Sequence, residues 1–201
     1  MKTTAHDFLK ASDPILARII TGDATFKAFR NPDMYYSLLA SITSQQLSVK
    51  AADTIFGRFL DLFPKRYPEP KRLLALSIDQ LRSVGVSRQK AGYMQNVATF
   101  AVQHDLGHGA LKKMSDDEII ALLTQIKGVG RWTVEMLLMF PLKRPDVFPA
   151  DDLGIQNAMK KLYGLRQTGP KLRKKMAAIA EAWRPHRTLA CKHLWRWKSA
   201  K

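Results

Sequence analysis

Apolar residues recur at helix spacing along nearly the whole chain. Ile55, Phe59 and Leu62 fall three or four residues apart, as do Ile119, Leu122, Leu123 and Ile126, then Val134, Leu137 and Leu138, then Ala190, His193, Leu194 and Trp197. Alternating apolar and polar positions, the mark of a half-buried strand, are scarce. Breakers punctuate the runs at Asn31-Pro32-Asp33, Pro64, Pro68, Pro70, Gly107 with Gly109, Pro141, Pro145, Pro149 and Gly169-Pro170. Short helices with short connections predict an all-α protein, and 201 residues suffice for one domain or two small lobes. Ser115-Asp116-Asp117-Glu118 is a start signal for the helix that carries Ile119 to Ile126. The stretch SVGVSRQKAGYM (83–94) echoes IKGVGRWTVEML (126–137), with Gly85 matching Gly128 and Arg88 matching Arg131. This is either two copies of one hairpin unit or coincidence.

Charge narrows the choice of partner. The 33 Lys and Arg outweigh 17 Asp and Glu, for a formal charge of +16, which favours a polyanion and nucleic acid first. An anionic membrane surface is the rival, but the cations are spread along the chain, with some crowding from Lys160 to Lys175, rather than gathered on one amphipathic helix. A merely soluble basic protein is the plainer alternative. The single cysteine, Cys191, excludes an intramolecular disulfide, a cysteine-based zinc site and a four-thiolate iron–sulfur cluster. The start, MKTTAHDFLKASDP, has no apolar leader core, and no run reaches about 18 apolar residues. A soluble intracellular protein without a membrane partner is therefore expected, in a bacterial cytoplasm or nucleoid or in a nucleus.

Several stretches carry candidate chemistry. A helix ending at Lys127 meets the turn Gly128-Val129-Gly130, and a second helix begins near Arg131. The first amides of a helix lack intrahelical acceptors, and its dipole favours an anion there. Glycines let a phosphate approach the backbone, and Thr133 offers a hydroxyl. The same turn is also compatible with a plain glycine-capped corner; the net charge tilts the choice toward phosphate. In DVFPADDLGIQNAM (146–159), Asp151 or Asp152 caps a helix running through Ile155 and Met159, and the other carboxylate is left for another role, or both simply cap. Trp132, Trp183, Trp195 and Trp197 lie in the last third of the chain, where their faces suit stacking on bases, although Trp183 reads as core. Gln45 and Gln46, in SITSQQLSVKAADTIF (41–56), can reach a base edge, fill a gap in a duplex or sit in a solvated helix start. The five histidines show no metal-ligand spacing, so no catalytic metal is expected.

Taken together, Ser44-Gln45-Gln46-Leu47-Ser48, Gly128-Val129-Gly130-Arg131-Trp132-Thr133, Phe148-Pro149-Ala150-Asp151-Asp152 and the tail Trp183-Arg184-Pro185-His186-Arg187…Ala190…His193-Leu194-Trp195 resemble the helix–hairpin–helix (HhH-GPD) DNA glycosylase superfamily, in its compact branch acting on 3-methyladenine. The motifs stand in the family's order over most of the chain. The resemblance implies two helical lobes with the active-site cleft between them. One lobe spans 35–145 and holds the helix–hairpin–helix at about 117–138; the other joins 1–34 to 146–201 and carries the catalytic aspartate. It implies Asp152 as catalytic, Asp151 as a non-essential neighbour, Trp132 and Trp195 at the base pocket, and Gln46 as the duplex wedge, where some relatives carry Leu. Gly128, Val129, Gly130 and Thr133 then form the phosphate-binding hairpin, with a monovalent Na+ or K+ on the carbonyls of Thr124, Ile126 and Val129. The expected protein is a monomer that acts on double-stranded DNA with damaged bases, needs no cofactor, and excises cationic alkylpurines such as 3-methyladenine and 7-methylguanine. Trp132 stands where lyase-type relatives have Lys, so no strand cleavage is expected. The alternatives are a non-catalytic hairpin DNA-binding protein and a glycosylase for deaminated or mispaired bases.

Overall fold

The computed structural model describes residues 4–22 and 33–200; the expected breaker at Asn31-Pro32 lies outside the described residues. Among the described residues the regular structure is entirely helical. Chain order gives α1 (Ala5–Ser12), α2 (Pro14–Ala17), α3 (Met34–Ser44), α4 (Val49–Leu60), α5 (Pro70–Leu74), α6 (Ile78–Ser83) and α7 (Arg88–Gln103). It continues with α8 (His108–Lys112), α9 (Asp116–Leu123), α10 (Arg131–Met139), α11 (Leu153–Tyr163), α12 (Gly169–Ala180) and α13 (Arg187–Ser199). No helix of the described residues is long and apolar enough to cross a membrane.

Local chemistry explains most helix starts. Ser77, Ser87 and Ser115 each accept an N–H of the first turn that follows, and Gln80 and Glu118 close capping boxes back onto Ser77 and Ser115. Helix ends fall short of the apolar periodicity. Leu62 lies beyond the end of α4, and α9 stops at Leu123, so Ile126 belongs to the following turn rather than to the helix.

The chain forms two compact units, one made of Met1–Ala28 and Leu138–Lys201, the other of Phe29–Leu137. In the second unit α7 is the hub, with α3, α5 and α6 packed on it. Leu38, Leu39 and Ile42 of α3, Phe59 of α4 and Met94 and Val97 of α7 are fully buried there. The echo in the sequence is an echo in conformation. Gly85 (φ +99°) joins α6 to α7, Gly128 (φ +104°) joins α9 to α10, and each second helix opens with an arginine.

In the first unit α11 packs on α12 and α13, and α1 on α2. Its buried anchor is Asp13, which caps α2 through the amides of Ile15 and Leu16 at 3.0 and 2.9 Å. The same side chain accepts the Tyr163 hydroxyl at 2.7 Å and the Trp183 indole N–H at 2.8 Å. Trp183 is fully buried, as its core reading anticipated. Burial alone would raise the Asp13 carboxyl, but the bonds from Leu16, Trp183, Tyr163 and Ile15 outweigh it and hold the group below its ordinary 3.8. A carboxyl that titrates lower when folded adds stability above its unfolded range and loses it as pH falls through the folded value. Asp13→Asn should therefore cost roughly 2 kcal/mol at neutral pH. In denaturant titrations the variant should also lose less stability than wild type between pH 5 and 3.

Candidate functional site

In the second unit the turn between α9 and α10 is built from behind. After α9, the Ile126 amide bonds the Leu123 carbonyl at 3.2 Å, and the Val129 amide bonds the Ile126 carbonyl at 2.9 Å. Ile126 and Val129 are buried and anchor the turn. Gly128 takes a φ that side chains avoid, and a Cβ placed there would lie 2.2 Å from the Tyr93 ring. A Cβ on Gly130 would meet nothing within 4 Å. The carbonyl of Gly130 accepts the Val134 amide and so starts α10. Gly130 and Arg131 are exposed, and Trp132 is 40 % exposed. Thr133 is buried, at 3 %, so its hydroxyl is not on the exposed face of the turn.

The glutamine stretch is tied to this turn. The Gln45 side-chain amide donates to the Gly128 carbonyl at 3.2 Å. Lys90 of α7 donates to the carbonyls of Thr43 and Gln45 at 2.9 and 2.7 Å, and burial pulls its ammonium below the usual lysine range. With Gln45 held, the chain reverses through Gln46 at φ +57° and leaves that side chain exposed, beside Leu47 at 39 % and Val49 at 79 % exposure. On the other side of the hairpin, Asn96 donates to the Lys127 carbonyl at 3.1 Å. Arg88, Gln89, Gly92, Tyr93, Asn96 and Lys127 line an open cavity of about 410 Å³. Its lining contains two cations and no carboxylate, which suits a phosphate.

The first unit holds the carboxylate. Asp152 is the N-cap of α11, and its Oδ1 accepts the Ile155 amide at 2.7 Å. The same oxygen accepts the Trp195 indole N–H at 2.8 Å. Asp151 is exposed and pairs with Arg173 at 3.3 Å. The two adjacent acids thus have different partners, and the capping one also meets the tryptophan. Phe140 stacks on Trp195, with centroids 6.1 Å apart and planes at 25°, and the Lys192 ammonium sits 5.5 Å from the Phe140 ring centre. Burial, with Lys143 adding repulsion, pushes the Lys192 amine downward.

The segment leading into Asp152 is bound to the start of α13, the helix that carries Trp195. Arg187 bonds the Asp146 carboxylate at 2.7 and 3.0 Å, and Arg184 reaches the same group at 2.7 Å. Thr188 donates from its hydroxyl to the Arg144 carbonyl at 2.7 Å and accepts the Val147 amide at 3.0 Å. Burial would raise the Asp146 carboxyl, but the Arg187 and Arg184 contacts hold it low. Downstream, the Gln156 side chain clamps the Ala150 carbonyl at 2.9 Å. These long-range ties had no signal in the sequence beyond the Trp-Arg-Pro-His-Arg tail itself. Among the described residues no group of three or more His, Cys, Asp or Glu is placed to hold a metal.

One helical unit thus carries an exposed glycine turn, and the other a tryptophan-held aspartate. The chain belongs to the HhH-GPD superfamily of base excision DNA repair proteins, whose family model matches residues 39–185. It is 35 % identical to DNA-3-methyladenine glycosylase 1 of Schizosaccharomyces pombe, over 90 % of this chain and 79 % of that protein. It superposes on the solved structure of the S. pombe 3-methyladenine DNA glycosylase Mag1 in complex with abasic DNA with a TM-score of 0.81. That match has 32 % identity and covers 96 % of this chain and 95 % of that one. A DNA-3-methyladenine glycosidase from Bacillus halodurans matches with a TM-score of 0.83 and 33 % identity, over 99 % and 91 % of the two chains.

The two hairpin glycines should therefore separate in experiment. Gly128→Ala is strained in φ and collides with Tyr93, so it should cost about 1–3 kcal/mol in chemical denaturation. Gly130→Ala should leave stability within about 0.5 kcal/mol of wild type yet weaken duplex DNA binding, measured by fluorescence anisotropy.

Proposed function

We propose that the protein is a monofunctional DNA glycosylase that removes alkylated, cationic purines such as 3-methyladenine and 7-methylguanine from duplex DNA. The observation that carries this reading is the Asp152 carboxylate, held at the head of α11 by an amide and an indole N–H. The relatives named for 3-methyladenine support the substrate class.

Chemistry on a paired base requires that it first leave the stack. The exposed amides at the start of α10, with Gly130 and Arg131, bind the phosphates of the bent strand. Gln46, aimed outward by the fixed Gln45, fills the gap in the duplex. Trp132 and Trp195 each offer an aromatic face to an electron-poor base, worth roughly 1–3 kcal/mol through stacking and cation–π attraction. An N3- or N7-alkylated purine carries positive charge, so it departs without a general acid. As its bond to the sugar breaks, the sugar becomes oxocarbenium-like, and Asp152 stabilises that charge or orients the water that attacks it. The product is free base and an abasic strand. Trp132 supplies no amine at the start of α10, so the reaction stops at hydrolysis rather than passing to a Schiff base.

The carbonyls of Thr124, Ile126 and Val129 would hold a monovalent cation at the turn before α10. Thr124, Ile126 and Val129 offer hard carbonyl oxygens, and the Ile126 carbonyl keeps a second lone pair beside its bond to Val129. Bound there, such an ion would add positive charge beside a phosphate.

The first test is release of free base from methylated duplex DNA. Wild type should release it, whereas duplex binding with no release would favour the non-catalytic reading. Asp152→Asn preserves a good N-cap, so the fold should persist. Its single-turnover excision should fall by about 100-fold or more, with affinity for an abasic-site analogue nearly unchanged; parallel loss of both would make Asp152 structural. Duplex affinity should also fall steeply with salt, and Arg88→Gln with Lys127→Gln should flatten the log–log slope by about 0.9 for each phosphate contact removed.

A further inference from the structure

Gly154 occupies the second position of α11, in ordinary helical backbone with no left-handed φ to demand a glycine. Glycine there costs helix stability relative to alanine, so its presence calls for a reason in space. A Cβ on Gly154 would lie 2.9 Å from Asp152 Oδ1 and 3.0 Å from both Cδ1 and Nε1 of Trp195. The missing methyl is therefore where the indole and the carboxylate approach each other.

We propose that Trp195 is a positioning residue for Asp152, and that Gly154 is the gap that lets its indole N–H reach the carboxylate. The proposal rests on the glycosylase reading and deepens it. The Ile155 amide reaches Oδ1 from the carboxylate's own helix. A second donor from α13 on the same oxygen fixes the plane of the group, so it meets the sugar in one orientation. The donor is itself braced by the Phe140 ring stacked on the indole. A tryptophan that served only as a wall for the base needs neither this bond nor a glycine at 154.

Two variants with different failure modes test the idea. Trp195→Phe keeps an aromatic ring and removes the N–H. Gly154→Ala keeps every functional side chain and gains helix propensity, so misfolding is not the expected outcome. Single-turnover excision from methylated duplex should fall tenfold or more in each, because a hydrogen bond to a charged group is being lost or lengthened. Affinity for an abasic-analogue duplex should stay within about twofold, and Gly154→Ala should still unfold in one cooperative transition, since its gain in helix propensity offsets part of the lost bond. The indole ¹H–¹⁵N resonance of Trp195 should move upfield in Gly154→Ala, a reading that does not depend on turnover. Wild-type excision rates in Gly154→Ala, or a Trp195→Phe enzyme that loses substrate affinity while keeping its maximal rate, would overturn the proposal. A wild-type protein that releases no base would instead defeat the glycosylase reading and leave the NMR shift to decide the positioning contact.

Discussion

One carboxylate oxygen, accepting an amide from its own helix and an indole N–H from another, organises the first unit. The rest of that unit can be read as support for it. The Asp146–Arg187 and Thr188 contacts fasten the segment before Asp152 to the start of α13. Further along, α13 delivers Trp195 to the carboxylate, so the two are aligned at both ends of the same stretch. Asp151, one residue away, is drawn to Arg173 instead. The Ile155 amide and the Trp195 indole N–H both donate to the same Asp152 oxygen.

The second unit solves a different problem, which is to expose a turn without letting it move. Lys127, Gly130, Arg131 and Trp132 are exposed, and the residues behind them are fastened. Tyr93 fills the space beside Gly128, Gln45 takes the Gly128 carbonyl, and Asn96 takes that of Lys127. Lys90 spends its charge on two backbone carbonyls rather than on solvent. A basic protein thus uses some of its cations internally, to set the shape of the loop that others surround.

What could be read from the chain was local. Helix starts announced themselves through Ser115 with Glu118 and through the pair Asp151-Asp152, of which Asp152 is the cap, because a cap and its amide lie within three residues. The hairpin was visible as glycines between two apolar runs, and its echo around Gly85 turned out to share the same backbone conformation. Ends of helices were less legible. Ile126 keeps the apolar period of α9 but is buried by a turn, since periodicity reports burial and not hydrogen bonding. The capping ability of Asp152 was legible, and its bond to Trp195 was not, because the partners are 43 residues apart and no spacing rule joins them. Gly154 gave no signal at all, since its role exists only once α13 lies against α11.

The bond between Asp13 and Trp183 crosses 170 positions of sequence, whereas the bond from Gln45 that holds the hairpin turn crosses 83. On a ribosome the two units therefore mature at different times. The ties of Gln45, Lys90 and Asn96 around the hairpin can form once the middle of the chain has emerged, while Asp13 must wait for Tyr163 and Trp183. The growing polypeptide acquires the fastened turn before it acquires the finished anchor of the unit that carries Asp152.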